Sequence, residues 1–450
     1  MKRGNNLCRI IFDAARSDDW RDTITSLRWR IAFILSVAIA ISYLDRQALS
    51  IAIAAIQKEI PLSNTDFSRL QIAFLAAYGV MYAGGGALID RLGTRRGFLV
   101  IMVAWSLACA AHGLATGLRS LTLSRFLLGA GEGGGFPAAT KAVAEWFPAR
   151  ERSTAMGIIN AGTAIGAVVA PPLIAAIVVY ADWRWAFFTC GAAGLLWTVW
   201  WWASYHPPGE HRGLSAAERT IIGEVVTEAP GGQPPPIPWL HLLRLREVWG
   251  LVLAKFLTDG AWYFYLFWLP KYLYDARGFD VKQVGYYAWI PYAAAGVGSL
   301  TGGWFSSWLL TRGRTINAAR KIALGASAAV MPLIILVTHV PVELAIVVFS
   351  IAFFGQQSWS TLVMIVPTDL FPRRSIGSVA GLVGFGGAMG GIVSNLLAGR
   401  MLDLGMGYGT VFSIMGLCHV TAFMLILLAI RNIQPVAFPP VRVTSRVGRS

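Results

Sequence analysis

Twelve stretches of this chain are long and apolar enough to cross a bilayer. They lie at roughly 31–56, 67–89, 97–116, 120–147, 153–180, 185–204, 248–274, 283–311, 319–338, 342–366, 376–402 and 408–430. About 20 apolar residues span the hydrocarbon layer as a helix. Backbone amides in lipid have no water to bond, so each such segment must satisfy them internally. The expected fold class is therefore an all-α membrane protein with twelve transmembrane helices. Composition agrees: 56% of residues are hydrophobic and 14% charged, against about 25% charged in a soluble domain.

An even number of spans puts both termini on one side. Of the 38 Lys and Arg, 26 fall in the tails and loops of that side and eight in the loops opposite. The positive-inside rule then makes both termini cytoplasmic. The net charge of +15 is thus mostly a topology signal, and nucleic acid is not an expected partner. The four cysteines, Cys8, Cys109, Cys190 and Cys418, show neither disulfide nor metal-site spacing. The N-terminus lacks the pattern of a cleaved signal peptide. No cofactor is expected.

The longest loop contains HPPGEHRG and PGGQPPPIP, a Pro/Gly-rich linker. It divides the chain into a cytoplasmic tail (1–30), a six-helix bundle (31–204), a cytoplasmic linker (205–247), a second six-helix bundle (248–430) and a C-terminal tail (431–450). An internal repeat supports the division. EWFPARERSTAMG (145–157) aligns without gaps on DLFPRRSIGSVAG (369–381), each following the fourth span of its half. Two parallel halves with a midplane site between them is a known transporter plan.

Charge at bilayer depth costs about 2.5–3.5 kcal/mol per group even on the lenient insertion scale, and usually marks a substrate or proton pathway. Asp45 and Arg46 sit halfway along span 1, and Arg125 and Glu132 share a face of span 4. The two acids are expected proton carriers. The two arginines suit a carboxylate, which the planar guanidinium grips with two parallel N–H bonds. Lys255 and Asp259, four apart in span 7, are either an intrahelical ion pair or a second anion contact. His112 and His419 are expected to be packing residues. The glycine runs follow no strand, so they are read as helix-packing surfaces.

GALIDRLGTRR (86–96) resembles the loop signature of the major facilitator superfamily, with Thr94 where arginine is usual. SYLDRQALSIA (42–52) and RFLLGAGEGGGFPA (125–138) resemble motifs of its anion:cation symporter family. AEWFPARERSTAMGIINAGTAIGAVVAPPL (144–173) and KFLTDGAWYFYLFWLPKYL (255–273) are closer to the hexuronate-transporter branch. The resemblance covers about 28–430. It implies two pseudo-symmetric six-helix halves, no enzymatic activity, a bacterial inner membrane and proton-coupled import of an organic anion, most like a sugar acid. It also implies a monomer whose partners are the small anion, protons and lipid. Importing an aromatic acid, drug/proton antiport and a non-transporting sensor stand as alternatives; the antiporter glycine element is missing from GAVVAPPLIA (166–175).

The same resemblance assigns roles. Arg46 would meet the substrate carboxylate, and Arg125 would tune Asp45 and Glu132. Tyr43, Tyr78, Tyr82, Asn160 and Thr163 are candidate hydroxyl contacts, and so are Gln356, Gln357, Trp359 and Ser360 in span 10. Asp90, Arg91 and Arg95 would form a charge clamp in the loop after span 2. The family's asparagine in span 11 has no clear match, Asn395 lying further along.

Overall fold

The computed structural model describes residues 27–211, 213–215, 218–221, 239–371 and 373–436. Most of the two tails and much of the linker assigned above therefore lie outside the described residues. Fifteen α-helices are described: α1 Leu27–Glu59, α2 Asn64–Leu92, α3 Thr94–Ala111, α4 Leu118–Glu132, α5 Gly135–Trp146, α6 Ala149–Tyr180, α7 Trp183–Ser204, α8 Trp239–Leu242, α9 Arg246–Arg277, α10 Val281–Tyr287, α11 Trp289–Thr311, α12 Ile316–Ala329, α13 Val342–Leu370, α14 Arg373–Asp403 and α15 Gly407–Ala429. Two spans are made of two helices each. Span 4 breaks between Glu132 and Gly135, and span 8 breaks at Ala288. Span 9 continues α12 into a 3-10 segment, Met331–Thr338.

Seven helices among the described residues are long and apolar enough to cross a membrane by length and composition alone. The other spans depart from that pattern visibly. The α9 span carries Lys255, Asp259, Lys271 and Asp275, α7 holds six tryptophans, and spans 4 and 8 are broken.

Glycine sets how closely the helices approach. In lipid there is no hydrophobic drive between helices, so small residues that admit close backbone contact carry the packing. A Cβ on Gly162 would collide with the Ser36 carbonyl, and one on Gly166 with that of Ala40, joining α6 to α1. In the second half, Gly386 meets Val252 and Gly390 meets Phe256 in the same manner, joining α14 to α9. Gly386 and Gly390 follow Gly162 and Gly166 at the spacing of the Phe-Pro repeat. The duplication read from loop sequence thus recurs in helix contacts. Gly390→Ala should destabilise the protein by about 1–3 kcal/mol, the usual cost of overpacking. The check is a lower melting temperature in detergent; an unchanged one would show that α9 and α14 do not depend on this contact.

The two halves meet most closely at the end away from the termini, here called the distal end. The Asp403 carboxylate at the end of α14 accepts from the backbone amides of Asn64 (3.0 Å) and Thr65 (2.8 Å) at the start of α2. It supplies an anion to a helix N-terminus whose amides have no partner within the helix. Tyr274 of α9 donates to the Ile51 carbonyl of α1, and Phe67 packs edge-on against Trp268 at 4.9 Å. Among the described residues, every hydrogen bond between the halves belongs to this distal set. Nearer the helix centres the halves touch through small residues. A Cβ on Gly79 would rest 3.8 Å from that of Ala388, and one on Gly296 would rest 3.4 Å from that of Ala164.

Candidate functional site

The charged groups of spans 1 and 4 do pair, but across helices. Arg46 Nε donates to Glu132 Oε2 at 2.6 Å. Ser42, one turn before Arg46 on α1, donates to the same oxygen at 2.6 Å. Neither same-helix neighbour fills this place. Asp45 and Arg46 are adjacent and so point about 100° apart around the helix. Arg125 and Glu132 share a face but are about 10.5 Å apart along the axis. Glu132 is the last residue of α4, where the glycine run interrupts the helix. Gly129 and Gly133 press directly on the α2 backbone at Phe74 and Tyr78. That close approach brings Glu132 and the α2 aromatics to the same depth.

Arg46 is buried, 3% exposed. Its guanidinium lies over the rings of Tyr78 (4.6 Å), Tyr43 (4.9 Å) and Phe74 (5.4 Å). Among the described residues only its Nε is hydrogen-bonded, and both Nη groups remain available. Those are donors in a fork that matches a carboxylate.

Arg125 is fully buried, so it does not reach out to the membrane surface. Its Nη2 donates to the Arg46 carbonyl at 3.1 Å and to Gln71 Oε1 at 3.4 Å, while Nε and Nη1 have no partner. It holds the α1 backbone at the residue that carries the fork. Asp45 is also fully buried but faces α3, where Trp105 Nε1 donates to its Oδ2 at 2.6 Å and Oδ1 is left without a partner. The two acids therefore occupy different environments: Glu132 stands beside the fork, and Asp45 behind it among α1 and α3.

Of the other sequence candidates, Tyr82 is tilted against Tyr78 at 5.8 Å and is 46% exposed. Thr163 donates to the Asn160 carbonyl at 2.7 Å, and Asn160 is exposed. Lys255 Nζ pairs with Asp259 Oδ1 at 2.7 Å and lies 3.4 Å from Ser360 Oγ on α13. Gln356 is buried with Oε1 unpartnered, and Gln357 is half-buried. Trp359 is set apart from Ser360: it is fully buried and packs on His419 (5.7 Å) and Phe423 (6.5 Å). Asp90 lies in α2 with its side chain outside the described residues. Arg91 is exposed, and Arg95 donates to the Trp202 carbonyl at 2.7 Å and stacks on that ring, within the first half. Asn395 accepts from Trp268 at 2.9 Å and donates to the Gly391 carbonyl at 2.8 Å, so it joins α9 to α14.

Sequence reasoning missed Trp105, Ser42, Gln71 and Tyr263. Trp105 was detectable, because an indole N–H at mid-bilayer needs an acceptor and Asp45 offers one. Tyr263, one turn after Asp259 on α9, stacks on Phe267 at 5.8 Å, and Phe267 meets Phe74, under Arg46, edge-on at 6.5 Å. Phe267 and Tyr263 together bring the second half to the aromatic cluster around Arg46.

Membrane helices in two repeated halves, each with a buried or nearly buried ion pair in its interior, are the architecture of a multi-pass membrane transporter. The chain belongs to the Major Facilitator Superfamily, whose family model matches residues 35–395. It is 30% identical over 416 residues to the hexuronate transporter of Escherichia coli K12, covering 91% of this chain and 95% of that one. It is 34% identical over 283 residues to the galacturonate transporter of Dickeya chrysanthemi, covering 62% and 82%. It is 29% identical over 391 residues to the D-galactonate transporter of Escherichia coli O6:H1, covering 85% and 90%. Among solved structures, a bacterial homolog of the human lysosomal transporter Spinster, inward-facing and unoccupied, superposes with a TM-score of 0.69 at 18% identity, covering 90% of this chain and 96% of that one. That last likeness establishes the fold alone.

Proposed function

We propose that this protein imports a sugar acid, of the hexuronate or aldonate class, together with protons by alternating access. The observation that carries the reading is the Arg46 fork, with both Nη groups available inside a cage of tyrosines. The fork suits the carboxylate of the substrate, and the surrounding phenols suit its hydroxyls. The relatives named for hexuronate, galacturonate and galactonate transport support the same class.

Charge balance favours coupling to protons. Arg46 and Arg125 offset Asp45 and Glu132, so the empty cluster is formally neutral. A bound monoanion adds one negative charge, and one proton restores neutrality where unbalanced charge is most costly. With both termini in the cytoplasm of a bacterial inner membrane, the distal contacts close the outer side. The described state is then inward-facing. Rocking the halves would break the Asp403 cap and the Tyr274 bond and close the cytoplasmic side instead. Arg91 and Arg95, with Asp90, lie at that side and would act there. The protein works as a monomer in this scheme, because both halves of the site come from one chain.

A thermal-shift screen of detergent-purified protein tests the reading. A ligand that binds only the folded state stabilises it by about 2.7 kcal/mol at 100 times its Kd. Galacturonate, glucuronate or galactonate should raise the melting temperature, and an aromatic carboxylate should not. A shift produced by cationic drugs and by no sugar acid would replace the proposal with drug antiport.

A further inference from the structure

The Lys255–Asp259 pair is hard to explain as a structural brace. It is an i,i+4 pair within α9, so it ties the helix to itself, where backbone bonds already do so. Lys271–Asp275, four turns further along the same helix, differs: Asp275 also accepts from Tyr408 of α15 at 2.9 Å and so joins two helices. Among the described residues, the one hydrogen bond from Lys255 to another helix goes to Ser360, at 3.4 Å. Taking two charges out of water is costly, and apolar residues of similar volume would be as stable.

The pair's position offers a better account. Phe74, under the Arg46 guanidinium, meets Phe267 of α9 edge-on at 6.5 Å, and Phe267 stacks at 5.8 Å on Tyr263, one turn after Asp259. Lys255 and Asp259 thus belong to the wall of the second half that faces the Arg46 fork. Gln356, one turn before Ser360 on α13, adds a buried amide whose oxygen has no partner. The facing walls therefore hold two neutral ion pairs, one per half, each with a cation that an incoming anion can draw off.

We propose that Lys255 is a second anion-binding cation: its ammonium parts from Asp259 and binds the distal carboxylate of a sugar diacid. By this assignment Lys255 decides whether diacids are accepted beside mono-acids. The inference rests on Arg46 holding the first carboxylate. A relative named as a probable galactarate/D-glucarate transporter, 30% identical over 393 residues, makes galactarate a suitable probe.

The test is calorimetric titration of purified full-length protein with galactarate and with galacturonate, which differ by one carboxylate. Wild type should bind both. In Lys255→Gln/Asp259→Asn, which leaves no unpaired charge behind, galactarate should weaken by about tenfold or more while galacturonate stays within about threefold. Lys255→Gln alone should show the same split. If both ligands weaken equally, or neither does, the assignment of Lys255 is overturned and the Arg46 reading stands. Wild type that binds galacturonate but not galactarate has the same consequence. Wild type that binds neither overturns both readings.

Discussion

Glu132→Gln is expected to bind substrate and exchange it across the membrane, yet fail to accumulate it against a gradient. Glu132 Oε2 accepts from Arg46 and Ser42, and the amide oxygen of glutamine can accept from both in nearly the same place. What disappears is the charge, so the variant imitates the protonated carboxyl permanently. Arg46 loses its counter-charge and becomes easier for an anion to claim. Binding should therefore stay within roughly tenfold of wild type, about 1.4 kcal/mol, and lose most of its dependence on pH. Reciprocity requires this linkage: if protonation tightens substrate binding, substrate must raise proton affinity by the same factor. Proton-driven uptake and counterflow, measured in the same liposomes, separate the two steps. Full accumulation by the variant would remove Glu132 from coupling and leave Asp45 as the candidate.

Arg46→Lys should fail nearly as badly as Arg46→Ala. The site uses one part of the guanidinium to hold Glu132 and leaves the rest for the ligand, while the plane rests on Tyr43 and Tyr78. A lysine ammonium is a point charge that cannot span these roles at once. Either change leaves a buried carboxylate and a ligand anion without their shared fork. The expected loss is about 2–5 kcal/mol, or roughly 30-fold or more in Kd. Isothermal titration on folded, detergent-purified variants reads it directly. Near-normal affinity in the lysine variant would move the substrate carboxylate elsewhere, with the unpartnered donors of Arg125 next in line.

The identities of these residues were legible in sequence because lipid makes charge conspicuous. Asp45, Arg46, Arg125 and Glu132 stand out in apolar surroundings however the helices pack. Their partnerships were not legible, since helical periodicity gives the face a residue lies on but not the helix it meets. Glu132 found Arg46 across the α1–α4 approach, and Asp45 found Trp105 on α3. Tyr263 escaped notice for the opposite reason: one tyrosine among the aromatics of α9 carries no distinguishing mark until the halves face each other. Trp359 stood among the candidate substrate contacts in sequence; in the fold it is fully buried and packs between α13 and α15. The six-plus-six organisation was legible from loop composition and the Phe-Pro repeat. The glycine contacts of α6 and α14 repeat in step with it.

The small residues that meet across the halves have a mechanical consequence. Gly79 faces Ala388 and Gly296 faces Ala164, each near the middle of its helix. Side chains this short do not interlock, so the surfaces act as plain bearings, able to roll without first disengaging. Resistance to turning then sits far from the fulcrum, in the Asp403 cap and the Tyr274 bond, where the lever arm is longest. A few hydrogen bonds at the rim can hold the whole machine in one posture, and releasing them frees it without disturbing the cargo's grip at the centre.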